Sequence, residues 1–174
     1  MGTEAVGTEV VDRAVAQLRA ARELSDVQRI VRSAARYGVD ADGATFVLRD
    51  DDKCFYADED AMSPLWKGQR FPLTDCISGW AMLNDEVANI ADITVDARIP
   101  QEAYRPTFVK SLVMTPVGVV APVAAIGVYW ASHHDATAEE LAALRALAGA
   151  TAEAIARIGL AGAPLTPAGL GADN

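Results

Sequence analysis

The two cysteines are the residues of this chain best suited to covalent chemistry. Cys54 lies in a short β-prone run, and Cys76 directly precedes a short segment with helical character. Backbone N–H groups at a helix N-terminus lower the pKa of a thiol, which makes Cys76 a candidate redox sensor or covalent attachment point. Unpaired cysteines are also often buried as small apolar groups, and this structural role is the favoured expectation for both. No pattern brings the two sulfurs together, so we expect reduced thiols.

The histidines and the acidic residues are weaker candidates for ligand binding. His133 and His134 are adjacent, so they cannot complete a closed zinc site, and we expect both to be solvated. The acidic residues of 50–52 and 58–60 suggest calcium, but the Cys54-Phe55 dipeptide stands where such a loop needs an oxygen ligand and a glycine. A solvated acidic hairpin without metal is therefore expected.

Length, charge and hydropathy restrict the class of protein. A chain of 174 residues fits a single domain, and its hydrophobic fraction of 51% supports a packed core. The formal net charge of −9 and the pI near 4.6 argue against nucleic acid or anionic lipid as partners. No run approaches the roughly 20 apolar residues of a membrane span, and the start of the chain lacks a signal-peptide pattern. We therefore expect a cytoplasmic protein.

Helical periodicity marks three long segments that must position these groups. The first covers residues 8–24, with its apolar positions on one face. The second is expected to be capped by Ser25, with Gln28 completing a capping box and Gly38 ending the helix. The third begins with the capping box Thr137–Glu140. It carries a heptad-like apolar seam: Leu141, Leu144, Ala148, Thr151, Ile155 and Ile158.

Between these helices the pattern changes to short β-prone runs. Strands are expected at 44–49, 53–57, 87–90, 111–117 and 123–130, with a short helix at 77–83 and a helical turn at 104–109. Pro116 must lie at an edge, a bulge or a strand end, because it cannot donate a ladder hydrogen bond. Two long loops are expected at 58–75 and 92–106, where they cross apolar surface. Long loops of this kind often cover functional sites. The apolar connection 118–122 indicates an interface or a variant turn.

The order of these elements predicts an α+β fold. It implies an antiparallel sheet with the terminal helices packed on one face and the loops over the other. Several strings, in this order, resemble the GAF domain family. They are Arg70-Phe-Pro-Leu73, Cys76-Ile-Ser-Gly-Trp-Ala81, Val87-Ala-Asn-Ile-Ala-Asp92, Asp96-Ala-Arg-Ile-Pro100, Ser111-Leu-Val-Met-Thr-Pro-Val117 and Ala125-Ile-Gly-Val-Tyr-Trp130.

The resemblance covers residues 25–158 and is greatest to GAF domains that precede histidine kinases in bacterial sensor proteins. It implies five or six antiparallel strands, a ligand pocket between the sheet and the two loops, and a homodimer formed through the terminal helices. The expected organisation is an N-terminal helix with a dimer contact at 1–24, the GAF domain at 25–158, and a flexible tail at 159–174, where Gly and Pro residues accumulate.

The implied pocket would be lined by aromatic and polar residues of the loops and neighbouring strands. The candidates are Trp66, Phe71, Thr74, Asp75, Cys76, Asp92, Tyr104, Phe108, Ser111 and Tyr129, with Trp80 beside them. About half of these are expected only to pack under the loops, and Trp80 and Phe108 are expected in the core. Arg98, Arg105 and Lys110 would suit a carboxylate or phosphate on a ligand, although surface placement is favoured.

The favoured function is a small-molecule-binding sensory module of bacterial signal transduction, which relays occupancy through its terminal helices. No catalytic residue and no cofactor is identified, and a histidine kinase or another signalling protein would receive the signal in trans, unless the chain is an excised sensor domain.

Three other members of the family are alternatives. In free methionine sulfoxide reductase the reactive cysteine lies in the second loop, where residues 96–99 contain none, and Ser78 stands beside Gly79 where a thiol is expected. In bilin-binding photoreceptors the attachment cysteine is followed by histidine, whereas Ile77 follows Cys76. The Asn-Lys-x-Asp run of cyclic-nucleotide-binding relatives is missing.

Overall fold

The computed structural model describes the backbone of residues 2–160 and the side chains of residues 6–160. Most of the predicted tail therefore lies outside the described residues. The helices are α1 Gly2–Ala20, α2 Leu24–Gly38, α3 Ile77–Asn84, α4 Gln101–Tyr104 and α5 Ala138–Ile158. The strands are β1 Gly43–Asp50, β2 Lys53–Ala61, β3 Arg70–Pro72, β4 Ala88–Ile90, β5 Ser111–Val117 and β6 Ala124–Trp130.

Six antiparallel strands form one sheet in the order β3-β2-β1-β6-β5-β4. The predicted α+β class and the antiparallel sheet of five or six strands are confirmed. The sheet contains two hairpins, β1–β2 and β5–β6. Strands β1 and β6, one from each hairpin, pair at the centre of the sheet, with Gly43 opposite Tyr129 and Leu48 opposite Ala124. Pro116 lies one residue before the end of β5, where it pairs with Ala125 on β6. It lies beyond the three residues of β5 that pair with β4, so no strand is paired on its other side.

One face of the sheet, which we call the helix face, is covered by α2 and α5, and α1 packs against these two helices. The buried sheet residues on this face alternate along the strands: Ala44, Phe46, Leu48, Val113, Val117, Ala124, Ile126, Val128 and Trp130. The stripe predicted for α2 is buried there as well. The helix begins at Leu24, however, and its N-cap is Glu23 without a side-chain cap, so the prediction of Ser25 as cap is wrong. Leu24 is itself buried, so it adds one more apolar residue to the stripe, three positions before Val27.

The last helix begins where the sequence predicts. The Thr137 side chain accepts a hydrogen bond from the Glu140 backbone N–H, and the Glu140 carboxylate accepts one from the Thr137 N–H. The central residues of its seam, among them Leu144, Thr151 and Ile155, are buried within the chain against the sheet and the other two helices. The central residues of the seam therefore belong to the core of one chain, and the homodimer through the terminal helices stays a prediction.

The opposite face, which we call the pocket face, is covered by α3, α4, β3 and the connecting loops. Val47, Cys54, Tyr56, Met114 and Tyr129 point from the strands into its separate apolar cluster. The predicted helical turn at 104–109 lies earlier in the structure, as α4. Pro100 is its N-cap, and the fixed φ of proline is compatible with the start of a helical turn. Pro106 would lie in the interior of the predicted turn, where proline is unfavourable.

The strand β2 extends four residues further than predicted and carries a β-bulge. The sequence interpretation assigned Asp58, Glu59 and Asp60 to a loop because of their charge, yet all three lie in the strand. Phe46 pairs with Asp58 and Val47 with Tyr56, which leaves Ala57 as an extra residue. After the bulge the alternation of side chains is shifted by one residue. Asp58 therefore follows Ala57 on the helix face, whereas Cys54, Tyr56 and Glu59 lie on the pocket face.

Two ion pairs join this part of β2 to α2. Arg32 Nη1 lies 2.9 Å from Asp58 Oδ1, and Arg36 Nη1 lies 2.8 Å from Asp60 Oδ1. Ser33 Oγ donates a further hydrogen bond of 3.0 Å to Asp60. Asp58 and Asp60, which were predicted to be solvated, are thus bound to α2, and this pairing explains how a charged segment stays in the sheet.

Two surface features complete the description. No helix within residues 2–160 is both long enough and apolar enough to cross a bilayer. The connection 118–122 between β5 and β6 is exposed, and Val119 and Val120 are 65% and 97% accessible to solvent.

Candidate functional site

A small cavity lies on the pocket face between β2, β3 and α4. Its walls are formed by Tyr56, Trp66, Phe71, Cys76, Pro100, Ala103 and Tyr104. The cavity has a volume of about 10 Å³, which is room for about one water molecule. Four of the ten candidate ligand-binding residues, Trp66, Phe71, Cys76 and Tyr104, are brought together here.

The loop that carries Trp66 is fastened by a single carboxylate. Glu59 accepts hydrogen bonds from the backbone N–H groups of Leu65, Trp66 and Lys67, at 2.9, 3.0 and 2.9 Å. The indole Nε1 of Trp66 in turn donates to the Ala103 carbonyl at 3.2 Å. The bulge in β2 makes this possible, because it turns Glu59 toward the pocket face. The Trp66 loop and α4 therefore close over the cavity as one connected unit.

Aromatic rings form most of the cavity wall. Trp66 lies 4.6 Å from Tyr104 and 5.6 Å from Tyr56, measured between ring centroids. Phe71 packs edge-on against Tyr56 at 5.6 Å, and Tyr129 lies behind Trp66 at 5.5 Å. Offset and edge-to-face contacts of this kind favour one orientation of each ring, so the rings form a continuous aromatic surface in the closed state.

The hydroxyl of Tyr104 is a buried polar group with no hydrogen-bond partner among the described residues. Tyr104 is only 3% exposed. An unpartnered buried hydroxyl typically costs about 1–3 kcal/mol, so a ligand atom or water that accepts this bond is favoured. The other two buried tyrosines are partnered, Tyr129 by Thr45 Oγ1 at 2.8 Å and Tyr56 by Ser78 Oγ at 3.0 Å. Burial raises the pKa of all three phenols above its ordinary value, which keeps them neutral.

The two cysteines, for which the sequence indicated no contact, lie side by side. Their sulfurs are 3.0 Å apart, both are unbonded thiols, and both are buried. Ser78 Oγ donates to Cys76 at 3.4 Å, so Tyr56, Ser78, Cys76 and Cys54 form one hydrogen-bonded chain. Only Cys76 reaches the cavity wall.

The two thiols differ in acidity. The hydrogen bond with Cys54 lowers the pKa of Cys76 to about 7, against the opposing effect of burial, with further hydrogen bonds from Ser78 and from the backbone N–H of Gly79. The same pairing, together with burial, raises the pKa of Cys54. Cys76 is therefore the more acidic of the two thiols.

Glycine at position 79 allows this geometry. A Cβ on Gly79 would overlap the carbonyl oxygen of Leu73, so only glycine lets the first turn of α3 approach the preceding 3-10 turn this closely. The close approach places Cys76, the N-cap of α3, against β2.

The remaining candidate residues lie elsewhere. Tyr129 is in the same apolar cluster but behind the wall, and Phe108 packs on the cluster half-buried. Ser111 is buried and donates to the Ser132 carbonyl at 2.7 Å. Asp92 caps a 3-10 turn by accepting from the Thr94 N–H. Thr74 and Asp75 are exposed and share a hydrogen bond of 3.2 Å.

The charged candidates also lie outside the cavity wall. Arg98 binds Asp96 at 2.7 Å, and its guanidinium covers the ring of half-buried Trp80 at 4.4 Å, while Arg105 and Lys110 are exposed. His134 Nε2 lies 2.8 Å from Glu140, and His133 Nε2 lies 3.6 Å from Asp92. Within the described residues, no three His, Cys, Asp or Glu side chains are grouped closely enough to hold a metal.

The sequence analysis missed Tyr56, Pro100 and Ala103 as wall residues, and Cys54 and Ser78 as partners of Cys76. Tyr56 had a usable signal, since it follows Cys54 by two residues on a predicted strand and therefore shares its face. The position of Ala103 offered no such signal, because it depends on how the loop before β5 folds back over the sheet.

The chain belongs to the GAF domain family. Residues 21–156 match the GAF domain profile, which is most of the sequence and includes every residue of the cavity wall. A comparison with curated protein sequences returned no match.

Solved structures of GAF domains share the fold at low sequence identity. The GAF domain of a phosphoenolpyruvate-protein phosphotransferase from Acinetobacter is 15% identical, with a TM-score of 0.75 over 87% of this chain and 93% of that one. Free methionine-R-sulfoxide reductase from Neisseria meningitidis, solved with its substrate, is 12% identical, with a TM-score of 0.76 over 89% of this chain and 91% of the other.

The chromophore-binding domain of a bacteriophytochrome from R. palustris is 15% identical, with a TM-score of 0.73 over 86% of this chain and 61% of that one. These neighbours differ in activity while they agree in architecture, so the function must be argued from the side chains of this chain.

Proposed function

We propose that this chain is a regulatory GAF module of signal transduction that binds a small molecule on its pocket face and relays occupancy to its helices. The observation that carries the proposal is the aromatic cavity, whose wall includes Tyr104, a buried tyrosine with an unpartnered hydroxyl. A mainly apolar wall with one unsatisfied polar group is the usual composition of a small-ligand site. The ligand class is a small planar or apolar molecule carrying a hydrogen-bond acceptor for Tyr104.

The cavity of about 10 Å³ is too small for such a ligand, so binding requires the covering unit to move outward. The residues that must move are those of the Trp66 loop and α4, which Trp66 Nε1 joins to the Ala103 carbonyl. Both consist of short segments without a long helix or strand, which makes them easier to displace than the sheet beneath them. Closing of this unit over a ligand is the two-state element that the proposal requires.

Strand β2 provides a physical connection from the site to the helix face. Its Tyr56 forms part of the cavity wall, and its Glu59 holds the Trp66 loop. On the other face the same strand carries Asp58 and Asp60, which bind α2 through Arg32 and Arg36. Movement of the loop therefore acts on a strand whose charged side chains are fixed to a helix.

The helices are themselves joined at their far ends. Arg157 near the end of α5 donates to the carbonyl oxygens of Leu18 and Ala21 at the end of α1, at 2.9 and 2.8 Å. A displacement of α2, which packs against both, would reach this junction. We propose that a second copy of the chain, or a signalling protein such as a histidine kinase, reads this position of the helices. No turnover is part of the proposal.

A binding experiment with a blocking variant tests the proposed site. Purified wild-type protein is examined by native mass spectrometry for a copurified small molecule, and by thermal shift against a panel of soluble metabolites. Ala103→Phe fills the cavity, and Ala142→Phe on the exposed side of α5 is the matched control. Binding at 100-fold excess over the dissociation constant stabilises by about 2.7 kcal/mol. We expect this shift in wild type and the control but not in Ala103→Phe. Equal binding by all three would place the ligand elsewhere, and no ligand by either method would contradict the proposal.

A second candidate is a thiol-dependent reductase of the free methionine sulfoxide type. The observation that favours it is the adjacent thiol pair, since such a reaction needs an attacking thiolate and a resolving thiol. A coupled assay with free methionine sulfoxide decides between the two. Turnover that disappears in Cys76→Ser would support the reductase, and absence of turnover in the wild type would leave the regulatory module.

A further inference from the structure

We propose that Cys54 and Cys76 form a reversible redox site, which a small hydroperoxide converts into an intrachain disulfide. The inference goes beyond the proposed function and does not depend on it, because the modification needs no other ligand. It rests on the position of the two sulfurs, on the access that the cavity gives to one of them, and on the hydroxyl groups around them.

The geometry is close to that of the product. The sulfurs are 3.0 Å apart and must approach to about 2.05 Å in the disulfide. Cys54 is fixed in the middle of the β2–β3 pairing, where it aligns with Phe71. Cys76 precedes the first turn of α3, outside any strand. A shift of the α3 N-terminus by about 1 Å therefore completes the bond while the sheet stays in place.

Access is different for the two sulfurs. Cys76 is part of the cavity wall, whereas Cys54 is fully buried behind it. The cavity holds about one water-sized molecule, so an oxidant as small as hydrogen peroxide fits after slight side-chain motion, whereas a disulfide such as oxidised glutathione is excluded. The unpartnered hydroxyl of Tyr104, in the same wall, can donate a hydrogen bond to a peroxide oxygen.

The order of the two steps follows from these positions. The Cys76 thiolate attacks one oxygen of the hydroperoxide, an S–O bond forms, and the O–O bond breaks. The leaving oxygen takes up a proton and departs as water or alcohol, and Cys76 becomes a sulfenic acid. Its ionisation is supported by Ser78 and by the Gly79 N–H, which donate to the sulfur.

In the second step the Cys54 sulfur attacks the sulfenic sulfur. The S–S bond forms, the S–O bond breaks, and the hydroxyl leaves as water with the proton of the Cys54 thiol. In total, two thiols lose two electrons and two protons, and the hydroperoxide is reduced. A dithiol reductant reverses the reaction by thiol–disulfide exchange once the Trp66 loop and α4 open or the chain unfolds, because the closed cavity is too small to admit it.

The disulfide would also change the wall of the cavity. Cys76 Sγ now contacts Ser78 Oγ at 3.4 Å and the Pro72 carbonyl at 3.5 Å, and movement toward Cys54 weakens both contacts. Ser78 is the partner of the Tyr56 hydroxyl, and the Tyr56 ring packs against Trp66 and Phe71. Oxidation is thus transmitted directly to three aromatic residues of the wall.

The test treats the folded wild-type chain with hydrogen peroxide and counts the thiols that iodoacetamide can alkylate after unfolding. We expect both thiols to be lost, one intrachain Cys54–Cys76 cross-link in the peptide map, and full recovery with dithiothreitol. Two alkylatable thiols remaining after treatment, or a cross-link only between chains, would overturn the proposal.

Two variants test the order of attack. Cys54→Ala removes the resolving thiol, so dimedone should trap a sulfenic acid on Cys76 when it is added with urea after the folded chain has reacted and the peroxide has been removed. Urea is needed because dimedone is too large for the closed cavity. Cys76→Ala should leave Cys54 alkylatable, and circular dichroism verifies that both variants fold. Urea-unfolded wild type is the control, because there both thiols have a pKa of about 8.5 and dimedone should label them equally. Equal labelling in the folded chain would show that the fold does not select Cys76 and would overturn the assigned order and the role of the cavity.

Discussion

The two faces of the sheet use buried polar groups in different ways. On the helix face, Asp58 and Asp60 each have a cationic partner on α2 at 2.9 and 2.8 Å. On the pocket face, a tyrosine hydroxyl is left without a partner and two thiols lie together at 3.0 Å. Apolar packing is extensive on both faces.

The difference separates stability from function within one small domain. Paired charges and close-packed apolar side chains join the helices to the sheet on the helix face. Buried polar atoms without a partner occur on both faces of the described residues: Arg32 Nε, Arg36 Nε and Thr115 Oγ1 on the helix face, and the Tyr104 hydroxyl on the pocket face. The pocket face differs because a cavity and a thiol pair lie near its unpartnered hydroxyl, which indicates where a ligand or an oxidant would act. Each prediction below perturbs one of the two faces.

The largest effect is expected in the helix-face core. Leu144 is 1% exposed, and Leu144→Glu buries an unpaired carboxylate among apolar side chains, which should prevent stable folding. Leu144→Ala should cost about 2–5 kcal/mol of unfolding free energy. Ala146→Glu, on the exposed side of the same helix, is the control and should change it by less than about 0.5 kcal/mol. Denaturant titration and light scattering measure both. A well-folded Leu144→Glu chain with half the mass of the wild type would show that the seam is a dimer contact and not part of the core.

Alkaline pH should destabilise the pocket face. Burial raises the pKa of Tyr56, Tyr104 and Tyr129, so their contribution to stability is complete below about pH 10, where unfolded tyrosine ionises, and is lost as the pH rises above it. Each phenol that stays neutral when folded contributes a slope of about 1.4 kcal/mol per pH unit. Urea denaturation between pH 9 and 11 measures the slope. The buried Cys54 thiol, whose pKa is also raised, contributes to it together with the three phenols, so Tyr104→Phe should reduce it by about a quarter. An unchanged slope in that variant would contradict the assignment.

A smaller and local effect is expected at the loop over the cavity. Glu59→Gln replaces one acceptor oxygen by an NH2 group that faces a backbone donor. This substitution should lower the free energy of unfolding by about 1–3 kcal/mol. Hydrogen exchange should quicken at residues 62–69 and stay unchanged in α2. Glu153→Gln on the exposed side of α5 is the control. Faster exchange throughout the domain would show that the loop is not an independent unit.

The smallest effect is expected when the hydroxyl of one of two buried tyrosines in the same apolar cluster is removed. Tyr129→Phe removes a hydrogen bond and leaves Thr45 unpaired, which should cost about 1–2 kcal/mol. Tyr104→Phe removes a hydroxyl that has no partner, so its unfolding free energy should stay equal or rise slightly. Thermal unfolding of the two variants compares them directly. A cost for Tyr104→Phe as large as that for Tyr129→Phe would mean that Tyr104 already has a partner, such as ordered water.

The helix face was easier to predict from the sequence than the pocket face. The stripe of α2 and the capping box at Thr137 depend on residues three or four positions apart, and both predictions are confirmed. The contact between Cys54 and Cys76 depends on the β2–β3 register and on the approach of α3 to Leu73. Such long-range geometry leaves no periodic signal, so the thiols appeared unrelated. The bulge at Ala57 was equally invisible, because it changes neither composition nor strand propensity.

That bulge has a consequence for how the domain tolerates mutation. Because Ala57 is the extra residue of β2, its deletion would remove the bulge and leave the residues that follow on their present faces, Glu59 toward the cavity and Asp58 toward α2. A deletion in β6, which pairs without a spare residue, would instead exchange the faces of the residues beyond it. We therefore expect deletion scanning to find β2 tolerant to the loss of Ala57 and β6 intolerant to the loss of a residue.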